Sequence, residues 1–371
     1  MSRPWRCRTV LPLLLLLGAC RPPAAEVGWK GWDRTPVQYA RYFQLLKKDG
    51  ATVLLTFGPG GDRDTTGRIG LASQGGAVFP PGTVQVPEGP LRLALLSTTH
   101  ASYLSALGMA GQVVGCAHLG RLRDPAVDSL ARKGKVTEIG SAEGVDREKI
   151  LALRPDVLFS YPYGQQGAAL PRTLAVVPVT EYLEPHPLGR AEWLLAFGAM
   201  TGQDSLAAAL FEAIEDRYRK TAQAVPASAV KPAVFFGSAW RGVWSVPAGN
   251  SYMAQLIADA GGRYLFADQP STGNFDISLE KVLAVGAGAR FWGRVLDQPG
   301  PITAADVAGG DARLLALPAF RGKGCFYASS AESDLFGKAA LEPDVVLQDL
   351  VSIFHPAPAH GHTPVYFRPV Q

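Results

Sequence analysis

Four loop stretches concentrate side chains able to grip a small molecule. Ser97-Thr98-Thr99-His100 supplies hydroxyls and an imidazole, and "SYPYG" supplies Tyr161 and Tyr163. The stretch "GSAWRGVWSVPAGNS" supplies Trp240, Arg241, Trp244 and Asn250, and "STGNFDIS" adds Asn274 and Phe275. Aromatic rings offer apolar contact area and a guanidinium forks onto carboxylates, so the set suits a large, flat or anionic ligand. Each residue also has a plainer role open to it: a Thr can cap a helix, and a Trp at a strand end can pack in a core.

Catalysis and free-metal binding are less well served. The chain has no G-x-S-x-G, Walker A, H-E-x-x-H or G-x-G-x-x-G in a strand-to-helix setting, and "GPGGDRDTTG" lacks the Lys-Ser/Thr that holds phosphate. A hydrolase built on His100 has no recognisable nucleophile elbow. Of six histidines only His360 and His362 are close in sequence, in a Pro/Gly-rich stretch. A transferable zinc or manganese site needs about four converging ligands. No cofactor is expected.

The elements that must hold these loops come in two series. At 371 residues the chain is long enough for two medium cores. From Leu91, "LRLALLS", "QVVGCA" and "PDVLFSY" read as strands alternating with the helices "THASYLSALGM" and "DREKILALR". After Pro226, "AVFFGS" and "ARFWGRV" alternate with "SYMAQLIADAG" and "SLEKVLAVG", and "DVVLQDLVSIF" closes the series as a helix. Such alternation predicts two α/β lobes with mostly parallel sheets. Between them "LAAALFEAIEDRYRKTAQ" predicts one long helix, N-capped by Asp204 or Ser205 and about 30 Å long. Residues 37–90 predict a β-hairpin or small sheet, with "GPGGDRDTTG" as the loop between strands. Residues 21–36 predict a tether.

One helix start is written twice. "DREKILAL" and "SLEKVLAV" align Glu148 with Glu280 and Lys149 with Lys281, after the N-cap candidates Asp146 and Ser278. A first-turn Glu complements the helix dipole, which alone accounts for its presence. The N-terminus carries Arg3, Arg6 and Arg8, then an apolar run from Val10 to Leu17 too short to span a bilayer, which describes an export signal. Its end, Leu17-Gly18-Ala19-Cys20, resembles the bacterial lipobox, in which Cys20 becomes the lipidated first residue. Cys116 and Cys325 read as buried thiols, with a bridge left open. The net charge of +4 is scattered and predicts no nucleic-acid surface.

The two lobes, long helix, lipobox and paired helices resemble the long-helix class of substrate-binding proteins serving ABC importers of iron-siderophore, haem and cobalamin. "LALLSTTHASYLSALGMAGQVVGCA", "GVDREKILALRPDVLF", "VWSVPAGNSYMAQLIADAGG" and "DLVSIFHP" carry the likeness, which runs from about Leu91 to near the end. The resemblance implies two Rossmann-like lobes joined by one long α-helix, divided as signal 1–20, tether and hairpin 21–90, N-lobe 91–203, linker helix 204–225 and C-lobe 226–371. It implies a lipid-anchored protein of the periplasm or cell envelope. It implies an iron-siderophore, haem or corrinoid as ligand, for which the expected contacts are Thr98, Thr99, His100, Tyr161, Tyr163, Trp240, Arg241, Trp244, Asn250 and Phe275. It implies too that Glu148 and Glu280, one per lobe, dock on arginines of an ABC permease dimer. An exported hydrolase or a surface adhesion module is the alternative from another class.

Overall fold

The computed structural model describes residues 29–71, 78–141, 144–161, 170, 174–225, 230–240, 242–356 and 362–370, with only the backbone of Trp240. Cys20, Tyr163, Arg241 and His360 lie outside the described residues.

Five parallel strands form the first α/β sheet, in the order Ala175–Pro178, Val157–Ser160, Leu93–Leu95, Val113–Cys116, Thr137–Glu138. These strands are apolar on both faces because helices cover both, as the run Leu93-Ala94-Leu95, wholly buried, illustrates. The second sheet has the order Arg263–Tyr264, Ala233–Phe236, Phe291–Leu296, Cys325–Ser329, Phe367–Pro369. Its last strand is antiparallel and the others are parallel. The fold class is the expected one.

The long helix runs Asp204–Gln223 and buries Ala207, Phe211, Ile214 and Tyr218. These fall at i, i+4, i+7 and i+11, one stripe of a 3.6-residue repeat. The opposite face is charged and solvated. Tyr218 donates to Asp259 Oδ2 at 2.6 Å and Arg217 pairs with Asp344, so the C-terminal half of the helix is tied to the C-lobe. Neither Asp204 nor Ser205 caps it: the N-cap is Gln203, with no side-chain bond to the first turn. The preceding helix Pro187–Thr201 ends at left-handed Gly202, which leaves no room for a longer approach.

The N-terminal region is larger than a hairpin. It is a five-stranded sheet, Asp33–Arg34, Phe43–Lys48, Ala51–Gly58, Gly61–Leu71 and Val84–Val86, starting within the stretch read as tether. The segment Gly61–Thr66, read as a loop, is strand paired to Ala51–Gly58 across a two-residue turn. Left-handed Gly61 makes that turn possible, and pairing overrides the loop-like composition. Gly67 is required for a different reason: a Cβ there would sit 2.9 Å from Pro178 Cδ, so only glycine lets this sheet lie against the edge strand of the first lobe. Thr180 also donates to the Phe57 carbonyl at 2.8 Å. The extra sheet thereby covers a sheet edge that would otherwise expose unpaired backbone.

Two buried carboxylates on the N-lobe secure the segment leading into this sheet. Glu192 accepts the backbone N–H of Gln38, Tyr39 and Ala40 at 2.7, 2.8 and 2.7 Å. Glu184 accepts those of Arg41 and Tyr42, and the indole N–H of Trp193 at 3.0 Å. Residues 38–42 belong to no strand, and these bonds stand in for a sheet ladder. Glu192→Ala should lower stability in urea denaturation by about 2 kcal/mol, because three part-buried backbone donors lose their shared acceptor. A loss below about 0.5 kcal/mol would show the segment is held by packing alone.

Candidate functional site

In an open parallel sheet, ligands bind outside the carboxyl ends of the strands where the strand order reverses. In the first lobe that point lies between Leu93–Leu95 and Val157–Ser160, and in the second between Ala233–Phe236 and Phe291–Leu296. The loops leaving these strands carry Ser97, Thr98 and Thr99, then Tyr161, then Ser238–Trp240. The two carboxyl ends meet. Ser102, in the helix His100–Ala106 that follows the first-lobe loop, donates its hydroxyl to Asp334 Oδ2 at 2.9 Å. Asp334 lies in the loop after Cys325–Ser329 of the second lobe. Nearby, the Arg190 guanidinium sits over the Tyr252 ring at 3.9 Å, a second tie between the lobes.

Below the first-lobe loop lies a buried polar cluster. Thr99 is at the N-cap position but makes no capping bond; its hydroxyl goes to Glu181 Oε1 at 2.9 Å and meets Ser97 Oγ at 2.9 Å. Glu181 Oε2 faces His100 Nε2 at 3.9 Å, beyond hydrogen-bond length, and both atoms are buried without a partner. Burial pushes the Glu181 carboxyl up to about 6, opposed by the Thr99 bond and the Arg190 charge. Burial takes His100 down to about 3. A neutral imidazole therefore lies beside a carboxyl that is readily protonated.

The sequence-predicted residues divide. Thr98, Thr99 and Tyr161 are half-buried at the first-lobe reversal, and Tyr161 packs against Tyr182 with ring centroids 4.8 Å apart. His100 is 0% exposed, its ring against Phe159 and Phe197, which makes it a core residue. Trp244, 3% exposed, also belongs to the core: it stands edge-on to Phe235 and Trp292 at 5.7 and 5.6 Å. The strand Val243–Pro247 alternates sides, and this register turns Trp244 inward. Asn250 is exposed in the turn before the helix Tyr252–Asp259, and half-buried Phe275 packs edge-on to Phe266 at 5.5 Å. Sequence reasoning missed Glu181, Tyr182, Arg190, Tyr252 and Asp334. The run "VTEYLEP", with two Glu among apolar residues directly after a strand, was the available signal.

The paired helices start as expected. Asp146 accepts from Lys149 N–H at 3.0 Å and Ser278 from Lys281 N–H at 3.4 Å, leaving Glu148 and Glu280 exposed in the first turns. Backbone and Ser278 hydrogen bonds, with Arg313 nearby, hold the Glu280 carboxyl below its ordinary value. Cys116 and Cys325 are both free and buried, and burial raises each thiol to about 12. His362 pairs with buried Asp349 at 2.6 Å. Among the described residues no group of three His, Cys, Asp or Glu is placed to hold a metal ion.

Glu181 should leave a mark on the pH dependence of stability. From its ordinary value of 4.5 up to about 6 the folded state keeps a proton that the unfolded chain has released. Its contribution is therefore intact below 4.5 and lost as pH rises through 6. Glu181→Gln keeps an acceptor for Thr99 and carries no charge. It should melt above the wild type at pH 7.5 and level with it at pH 4, and an equal difference at both pH values would contradict the assignment.

Residues 93–294, over half the chain, match the model of the family described as periplasmic binding protein. An uncharacterized lipoprotein of Methanocaldococcus jannaschii is 27% identical over 291 residues, covering 74% of this chain and 68% of that protein. Three solved structures share the fold. A possible iron-binding (periplasmic solute-binding) protein from Staphylococcus epidermidis has a TM-score of 0.56 at 14% identity, covering 72% of this chain and 100% of that one. A Desferal-bound siderophore binding protein from Vibrio cholerae has 0.56 at 18%, covering 72% and 100%. A periplasmic heme binding protein from Pseudomonas aeruginosa has 0.57 at 19%, covering 74% and 95%. With its paired α/β lobes, long connecting helix and facing strand ends, the chain belongs to the periplasmic binding protein family.

Proposed function

We propose that the chain is an exported, lipid-anchored substrate-binding protein that captures an iron complex, a siderophore chelate or haem, between its lobes and delivers it to an ABC permease. The observation that carries the reading is the Ser102–Asp334 contact, which sets the carboxyl ends of the two sheets against each other with hydroxyl and aromatic loops on both sides. The family match, the siderophore- and heme-binding neighbours and the lipoprotein relative support it. Thr98, Thr99 and Tyr161 are the N-lobe ligand contacts, and Trp240, Arg241, Asn250 and Phe275 the C-lobe ones, with Tyr163 extending the N-lobe set. Cys20 is the lipidation site, and the helix 204–225 divides the lobes.

Because helices run antiparallel to strands in such lobes, the starts of Arg147–Leu153 and Leu279–Gly286 lie on the ligand side. Exposed, firmly capped Glu148 and Glu280 are then one charge per lobe for arginines on the permease. Charged contacts of this kind govern encounter and orientation more than affinity.

Two measurements test this. The purified chain should take up ferrioxamine or haemin, read by visible absorbance; binding cobalamin alone would move the ligand class to corrinoids, and turnover of a probe would favour an enzyme. In cells, Glu148→Arg with Glu280→Arg should cut uptake about tenfold or more while ligand affinity in vitro stays unchanged. Unchanged uptake would sink the docking role.

A further inference from the structure

Phe336 is 60% exposed, in the loop between the strand Cys325–Ser329 and the helix Lys338–Leu341. Single exposed hydrophobic residues are common and need no function. The position of this one sets it apart. Its loop leaves the carboxyl end of a parallel strand, the side on which such sheets bind ligands.

The Asp334 side chain ties the loop around Phe336 to the other lobe and closes the loop on itself. Asp334 accepts from the Ser102 hydroxyl at 2.9 Å, and from the N–H groups of Gly337 and Lys338 at 3.1 and 2.9 Å. Gly337 lies so close that a Cβ there would stand 2.7 Å from Ser102 Oγ. Ser102 is three residues from Thr99, one helical turn, so the loop abuts the N-lobe loop of the crevice. The loop thus carries an exposed phenyl ring beside the place where the lobes meet, and a backbone fixed in advance reduces the entropy lost on binding.

We propose that Phe336 is a ligand-contacting residue of the C-lobe, laying its ring against the apolar or flat face of the bound iron chelate as the counterpart of the Tyr161–Tyr182 pair. This assignment rests on the proposed function above. An aromatic contact of ordinary strength changes affinity by about 2- to 12-fold.

The test uses the purified full chain with ferrioxamine and haemin, each titrated by quenching of tryptophan fluorescence. Phe336→Ala should weaken whichever probe the wild type binds by about 2- to 12-fold with an unchanged melting temperature. Phe336→Trp should restore the affinity. Equal affinity in Phe336→Ala overturns the assignment, even if uptake in cells falls, because the ring would then serve a protein partner. Loss of affinity together with a lower melting temperature overturns it as well, since the ring would then be a packing element. A wild type that binds neither probe refutes the iron-complex reading itself, and that result is seen before any substitution is made.

Discussion

The hydrogen bond from Ser102 to Asp334 joins the start of an N-lobe helix to a C-lobe loop, and the rest of the site depends on where it sits. A parallel sheet binds ligands only at the carboxyl ends of its strands. Two such sheets make one crevice only if those ends face each other. The Arg190–Tyr252 contact reinforces the arrangement. The long helix Asp204–Gln223, bonded through Tyr218 and Arg217 to the C-lobe, removes much of the freedom that a flexible connection would leave. Under the proposed function, such a connection favours gripping ligand with loops and side chains over large lobe closure.

Buried carboxylates are a recurring device in the molecule. Glu184 and Glu192 fix residues 38–42, and Asp349 accepts the N–H of Val365, Tyr366 and Phe367 to set the last strand. In each case an acidic side chain replaces the ladder that irregular backbone lacks. Burial raises the carboxyls of Glu184, to about 7, and of Glu192, so these bonds work against a desolvation cost. Glu181 differs from them: one of its oxygens has no partner, and it lies directly beneath the crevice loop.

Local signals in the sequence were sufficient for the lobes. Alternating apolar strands and periodic helices located the central strands and the main helices after Leu91, but not Cys325–Ser329 or the edge strands Thr137–Glu138, Ala175–Pro178, Arg263–Tyr264 and Phe367–Pro369; Asp146 and Ser278 were legible as caps because capping is local chemistry. What depended on distant partners was not legible. The strand Gly61–Leu71 forms because Ala51–Gly58 lies beside it, against its Gly- and Asp-rich composition. Trp244 and His100 looked like ligand contacts by their loop positions, but register and neighbours direct both rings into the core. Tyr182 and Asp334 enter the site through contacts made across about twenty residues and across the two lobes respectively, which no short motif encodes.

Iron supplies the most direct test of a single crevice between the lobes. Crystals grown with ferrioxamine or haemin, and measured at the iron absorption edge, should give one anomalous peak per chain, between the Ser97–Thr99 loop and the loops that follow Phe236 and Ser329. A peak elsewhere on the molecule, or none from crystals of a saturated complex, would contradict it.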